Sequence, residues 1–200
     1  MDGDDRHDRP SAQAQAAMEV SRVHAEVAAA FTARVLGVSA TGWDAPAPVA
    51  GWTARDVVRH LVTWLPGFLE GGAGTDLPAG PSVETDPVGA WLCQRDAVQR
   101  LLDDPATVHR SFTDPHLGTL PLAEAIERFY VADVFMHTWD LARATGQDET
   151  LDPVRCARLY EVMLPLDDAL RASGQFGPRV DVPEDADPQT RLLGLIGRRP

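Results

Sequence analysis

The sequence predicts an all-α fold: an up-down four-helix bundle with an extra C-terminal helix and an extended tail. Three observations lead to this prediction. Apolar residues recur at helical spacing over four long segments, capping and breaking residues mark the segment ends, and strand-like alternation is scarce. With 200 residues, of which 44% are hydrophobic, the chain can bury a substantial core. We expect a disordered tail over residues 1–10 and a single domain over residues 11–200.

The first two helices have recognisable ends. The first is predicted to begin near Ser11 and to stop near Gly37. The second begins at Thr53, where Thr-Ala-Arg-Asp forms an acidic capping box, and Pro66 with the glycines that follow is expected to close it. Its inward face is predicted to comprise Val57, His60, Leu61 and Trp64.

The third and fourth helices flank a segment without helical periodicity. The third is predicted from Pro87 to Asp103, with Asp86 as its N-cap. Residues 105–121 should form a short hairpin or an irregular loop. The fourth helix is predicted over residues 122–144 and should end at Gly146 in a left-handed C-terminal cap.

The last third of the chain is less regular. A fifth helix should start at Pro153 and run to about Ala172, with a kink or an early end at Pro165. The tail from Phe176 to Pro200 is rich in proline and then becomes apolar. We expect its apolar residues to pack on the bundle, namely Leu192, Leu193, Leu195 and Ile196.

Charge and composition restrict the classes of partner. The formal net charge of -12 disfavours binding to nucleic acid or to an anionic membrane, since both require basic patches. No apolar stretch approaches the roughly 20 residues that span a bilayer, and no signal peptide is evident. Cys93 and Cys156 are predicted to be reduced thiols. We expect a cytoplasmic monomer or homodimer with a small-molecule partner.

A carboxylate and an imidazole lie four residues apart in the fourth helix, at Asp133 and His137. This spacing places both side chains on one helix face. His60, on the inward face of the second helix, would complete a set of two histidines and one carboxylate, which binds divalent metals and leaves coordination positions open. A buried Asp133 would need a cation beside it, which could be a metal, an arginine or protonated His137. The alternatives to metal binding are a buried Asp–His polar link, or an Asp133 that faces solvent beside a His137 that packs in the core.

Three further polar residues are weaker candidates. Asp140 could accept the second ring N–H of His137, as carboxylates do behind metal-bound histidines, or it could pair with Arg143 at the surface. His109 and His116 lie in the segment of residues 105–121, where exposed histidines are more common than ligands.

Two motifs carry a resemblance to a known family. They are Gly-Trp-Thr-Ala-Arg-Asp-Val-Val-Arg-His-Leu at residues 51–61, and Tyr-Val-Ala-Asp-Val-Phe-Met-His-Thr-Trp-Asp-Leu-Ala-Arg-Ala-Thr-Gly at residues 130–146. The chain resembles the DinB-like metal-binding bundles, and among them the N-terminal domain of mycothiol-dependent maleylpyruvate isomerase. Its closing segment is similar to the tail of a short subgroup of metal-binding proteins.

The resemblance implies a site and two functional hypotheses. His60, Asp133 and His137 would bind a divalent ion, with zinc as the usual metal and nickel or iron as alternatives, and mycothiol would be the thiol cofactor. One hypothesis is an isomerase or S-transferase in which the metal activates a thiol or a water. The other is a non-catalytic protein that binds a metal or small ligand. No catalytic or thiol-binding residue is assigned.

Overall fold

The structure is a computed structural model that describes residues 11–200. Residues 1–10, for which a disordered tail was predicted, lie outside the described part. The described chain is mostly helical, so the all-α prediction is confirmed at that level, and one small two-stranded sheet accompanies the helices. The four-helix bundle and the single domain stay predictions.

The helices and strands follow one another along the chain in this order. The helices are α1 (Ala12–Gly37), α2 (Ala54–Ala73), α3 (Pro87–Asp103), α4 (Leu122–Ala125), α5 (Ala132–Thr145), α6 (Pro153–Met163), α7 (Asp167–Ala172) and α8 (Pro188–Leu195). A π-helical segment, Ile126–Val131, joins α4 to α5, so residues 122–145 form one uninterrupted helix. The strands β1 (Ser111–Asp114) and β2 (Gly118–Pro121) pair antiparallel. In residues 11–200, no helix has the length and apolar character that a membrane crossing requires.

One compact unit comprises residues 11–33 and 58–134. Its core includes Phe31 and Trp91, whose ring centroids lie 4.5 Å apart in an edge-to-face contact. The indole N–H of Trp91 donates to the hydroxyl of Thr32 at 2.8 Å, so this buried polar group is satisfied. Phe112 of β1 stacks on Phe68 of α2 at 4.2 Å, which attaches the hairpin to the helix.

The other compact unit comprises residues 34–57 and 135–200. In this unit α8 packs against α6. The apolar residues of the tail are almost completely buried, as the sequence predicted: Leu192, Leu193, Leu195 and Ile196.

Several predicted element ends are confirmed. The third helix has the predicted bounds, and the Asp86 carboxylate accepts the N–H of Gly89 at 2.8 Å. The predicted hairpin is β1–β2. Near Pro165 the predicted fifth helix is interrupted by the 3-10 turn Leu164–Leu166, which separates α6 from α7.

Pro66 does not end the second helix, which continues through it to Ala73. The buried face of α2 is continuous across the proline, since Leu61, Leu65 and Leu69 are all 0% exposed. Burial of Leu65 and Leu69, one on each side of Pro66, offsets the roughly 3 kcal/mol that an interior proline costs. The helix ends only at Gly74, which adopts a φ of 55°.

Candidate metal centre

The N-terminus of α2 fixes the position of His60. The N–H of Thr53 donates to Asp56 Oδ2 at 2.8 Å, and the N–H of Asp56 donates to Thr53 Oγ1 at 3.3 Å. This pair is the predicted capping box. His60 therefore lies in the second turn of the helix, between fully buried Val57 and Leu61.

Asp133 receives hydrogen bonds from two residues of α2. His60 Nε2 lies 2.9 Å from Asp133 Oδ2, and the indole Nε1–H of Trp64 donates to the same oxygen at 3.0 Å. The side chains of His60 and Asp133 are 32% and 19% exposed. Asp133 is thus a partly buried carboxylate, and its burial is tolerated because these donors satisfy it.

The π-helical segment ends two residues before Asp133. A π turn inserts one extra residue into an α-helix and rotates every side chain that follows it. Tyr130 and Val131, its last residues, are 0% and 1% exposed. Such π segments occur frequently at functional sites, and this one lies just before Asp133 and His137 in the chain.

His137 is held from two sides. Its Nδ1 lies 2.8 Å from Oδ2 of Asp140, and its ring stacks on Trp52 with centroids 5.6 Å apart and an interplanar angle of 19°. Its side chain is only 7% exposed, and that of Asp140 is 0% exposed. Asp140 thus accepts a ring N–H of His137, which is one of the two roles expected for this carboxylate.

Asp140 is an ionised acceptor because Arg198 contacts both of its oxygens. Arg198 Nε donates to Oδ1 at 2.7 Å and Nη2 donates to Oδ2 at 2.9 Å. Burial alone would raise the pKa of Asp140, but the hydrogen bonds from His137 and Arg198 outweigh it and hold that pKa below its usual range. Since an ionised carboxylate only accepts, Nδ1 of His137 carries the proton of this hydrogen bond.

The three predicted ligands form one group. One ligand atom from each of His60, Asp133 and His137 lies within 4.8 Å of the other two. Asp133 and His137 are one turn apart on the same continuous helix, which fixes their spacing. Two imidazole nitrogens and one carboxylate oxygen are a common donor set for zinc and for other divalent transition metals. The residues therefore fit a divalent ion.

The family model of the mycothiol maleylpyruvate isomerase N-terminal domain matches residues 24–142, which include all three candidate ligands. The chain belongs to this family. Two uncharacterized proteins of Mycobacterium tuberculosis, from strains CDC 1551 / Oshkosh and ATCC 25618 / H37Rv, are each 28% identical over 184 residues. The aligned region covers 90% of this chain and 98% of each relative. No solved structure matches the chain significantly.

The other candidates lie outside the group. Within residues 11–200, neither His109 nor His116 belongs to a cluster of three potential metal ligands. Arg143 does not pair with Asp140. Its guanidinium contacts Glu149 at 2.6 Å and lies over the Trp139 ring, 5.2 Å from the centroid.

Sequence reasoning missed three residues that contact the candidate ligands or their neighbours. Trp52 and Trp64 had a usable signal, since Trp52 belongs to the first family motif and Trp64 lies one helical turn after His60. Trp64 was assigned only to the apolar face. Arg198 had no signal, because it is 58 positions from Asp140 in the chain.

Proposed function

We propose that the protein binds one divalent metal ion through His60, Asp133 and His137 and uses it in a mycothiol-type isomerase or S-transfer reaction. The observation that carries the proposal is the convergence of two imidazole nitrogens and a carboxylate oxygen within 4.8 Å. Membership of the mycothiol maleylpyruvate isomerase family supports a thiol as the second component. Zinc is the first choice of metal, with nickel and iron as alternatives.

Each ligand would contribute in a defined way. His137 presents the lone pair of Nε2, since its Nδ1 proton is committed to Asp140. If His60 held the ion through Nε2, its hydrogen bond to Asp133 would be replaced, and any proton on that nitrogen would be released or relocated. The Trp64 N–H remains a donor to Asp133 and limits rotation of the carboxylate.

The chemistry needs access as well as ligands. When bound, the ion would supply Lewis acidity that lowers the pKa of a coordinated thiol or water. His60 and Asp133 are partly exposed, whereas His137 is nearly buried. A small thiol can therefore approach the exposed pair from solvent while the buried histidine stays fixed.

The first experiment measures bound metal in purified, tag-free protein by plasma mass spectrometry after incubation with zinc, nickel or iron(II) and desalting. The parent should retain about one ion per chain. A His60→Ala/His137→Ala variant should retain none, and a His109→Ala/His116→Ala variant provides the matched control with two histidines removed elsewhere. Failure of the parent to bind any of the three metals would refute the proposed site.

A second experiment separates the two functional hypotheses. Calorimetric titration of mycothiol into the metal-loaded protein should give binding that disappears in Asp133→Ala and in the metal-free parent. Stoichiometric metal with no thiol binding would instead favour a non-catalytic metal-binding protein.

A further inference from the structure

The C-terminal end of α8 has a backbone geometry that determines where Arg198 lies. The N–H of Arg198 donates to the carbonyl of Leu193 at 2.8 Å, and the N–H of Gly197 donates to the carbonyl of Gly194 at 3.2 Å. Together with the φ of 80° at Gly197, these bonds define a Schellman motif. The chain therefore reverses at Gly197, and Arg198 is the first residue after the reversal.

Only glycine fits at that reversal. A Cβ at position 197 would lie 2.9 Å from the backbone of Gly177 and from the carbonyl oxygen of Pro178, and its positive φ is unfavourable for other residues. The α8 residues before it are buried, which anchors the turn. The position of Arg198 is thus set by the backbone and by core packing.

The Arg198 side chain donates to one buried carboxylate and to one backbone carbonyl. It is 12% exposed, and it contacts both oxygens of Asp140 while its Nη1 donates to the carbonyl of Ile196 at 3.2 Å. A two-point contact from a planar guanidinium fixes the plane of a carboxylate, which a single donor cannot do. The fixed plane places Asp140 Oδ2 at 2.8 Å from His137 Nδ1.

We propose that Arg198 is a positioning residue of the metal centre, acting through Asp140 to set the orientation and tautomer of His137. The proposal rests on the proposed metal function. Arg198 lies beyond residues 24–142, so the family match does not assign it a role. Trp52 holds the face of the imidazole, and the Arg198–Asp140 pair holds its edge. With Nδ1 bonded to Asp140, Nε2 is the nitrogen through which His137 would bind a metal.

The first arm of the test measures zinc affinity by competition with a chromophoric chelator. Arg198→Gln removes both donors to Asp140, and Arg198→Lys keeps the charge but loses the two-point contact. We expect zinc binding to weaken about 10–100-fold in Arg198→Gln, with a smaller loss in Arg198→Lys. Arg199→Gln, an exposed arginine at the next position, is the matched control and should bind zinc like the parent. An Arg198→Gln affinity equal to that of the parent would overturn the proposal.

The second arm uses metal-free protein and does not depend on zinc binding. Long-range nitrogen–proton correlation spectra report which ring nitrogen of His137 carries the proton. The parent should show the Nδ1–H tautomer, and Arg198→Gln should show loss of that preference, whereas a role limited to stability would leave the signature unchanged. Arg198→Lys keeps a positive charge beside Asp140, so it serves if Arg198→Gln does not fold, and loss of the two-point contact should weaken the preference. Retention of the Nδ1–H tautomer in the folded variants would contradict the role of Arg198, whereas a parent that binds no zinc would contradict only the metal function.

Discussion

The hydrogen bond from Trp64 to Asp133 should contribute measurably to the free energy of unfolding. Trp64→Phe removes the indole N–H, 3.0 Å from Asp133 Oδ2, and keeps an aromatic ring against Phe68 and Tyr130. A hydrogen bond to a charged group contributes about 1.5–3 kcal/mol. Because Asp133 is 19% exposed, water can replace part of the lost contact, so we expect a contribution of about 1–2 kcal/mol.

A double-mutant cycle isolates this contribution from the loss of packing. The parent, Trp64→Phe, Asp133→Ala and the double variant are unfolded in urea with a chelator present, and the coupling free energy is calculated. Trp91→Phe combined with Asp133→Ala is the control, since the Trp91 indole donates to Thr32 and should show no coupling. A Trp64–Asp133 coupling free energy below about 0.5 kcal/mol would refute the assignment of this hydrogen bond. Substitutions at distant, independent sites already deviate from additivity by about that much.

Three further predictions concern groups away from the ligands. Burial lowers the pKa of His24 below 6.5, so the unfolded chain binds more protons than the folded chain as the pH falls. The free energy of unfolding should therefore decrease between about pH 7 and about pH 5, and more steeply in the parent than in His24→Gln. Equal slopes for the two proteins in urea titrations would contradict this. Asp86→Ala should lower the free energy of unfolding by about 1 kcal/mol, because the helix loses the cap that accepts the N–H of Gly89. Asp86→Asn, which can still cap, should change the free energy of unfolding little. Equal effects of the two variants would show that the cap is not the cause. Cys156 is 0% exposed, and burial raises its pKa to about 12. An aromatic disulfide reagent should therefore label only Cys93 before denaturation. Two rapidly reacting thiols in the native protein would disprove the protection of Cys156.

The local elements were predictable because their determinants are neighbours in the sequence. Asp86 precedes Pro87 at a helix start, Thr53 and Asp56 have capping-box spacing, and Pro165 removes a helix donor. The pairing of Asp133 with His137 on one face also follows from local spacing. These signals require no knowledge of the tertiary structure.

Features that depend on tertiary contacts could not be read from the sequence. The helix through Pro66 persists because leucines on both sides of it are buried, and that burial is not a local property. Nothing in Ile126–Val131 distinguishes a π segment from an α-helix by residue type. The contact of Arg198 with Asp140 joins two distant segments, and the pattern around Asp140 was equally compatible with a pair to Arg143.

Binding of one divalent ion by His60, Asp133 and His137 can be tested directly by anomalous X-ray diffraction from crystals of the zinc-loaded protein at the zinc absorption edge. We expect a single strong anomalous peak in contact with these three side chains, with His137 bound through Nε2 and its Nδ1 on Asp140. A zinc peak at other side chains, such as His109 or His116, with none at this group would contradict it.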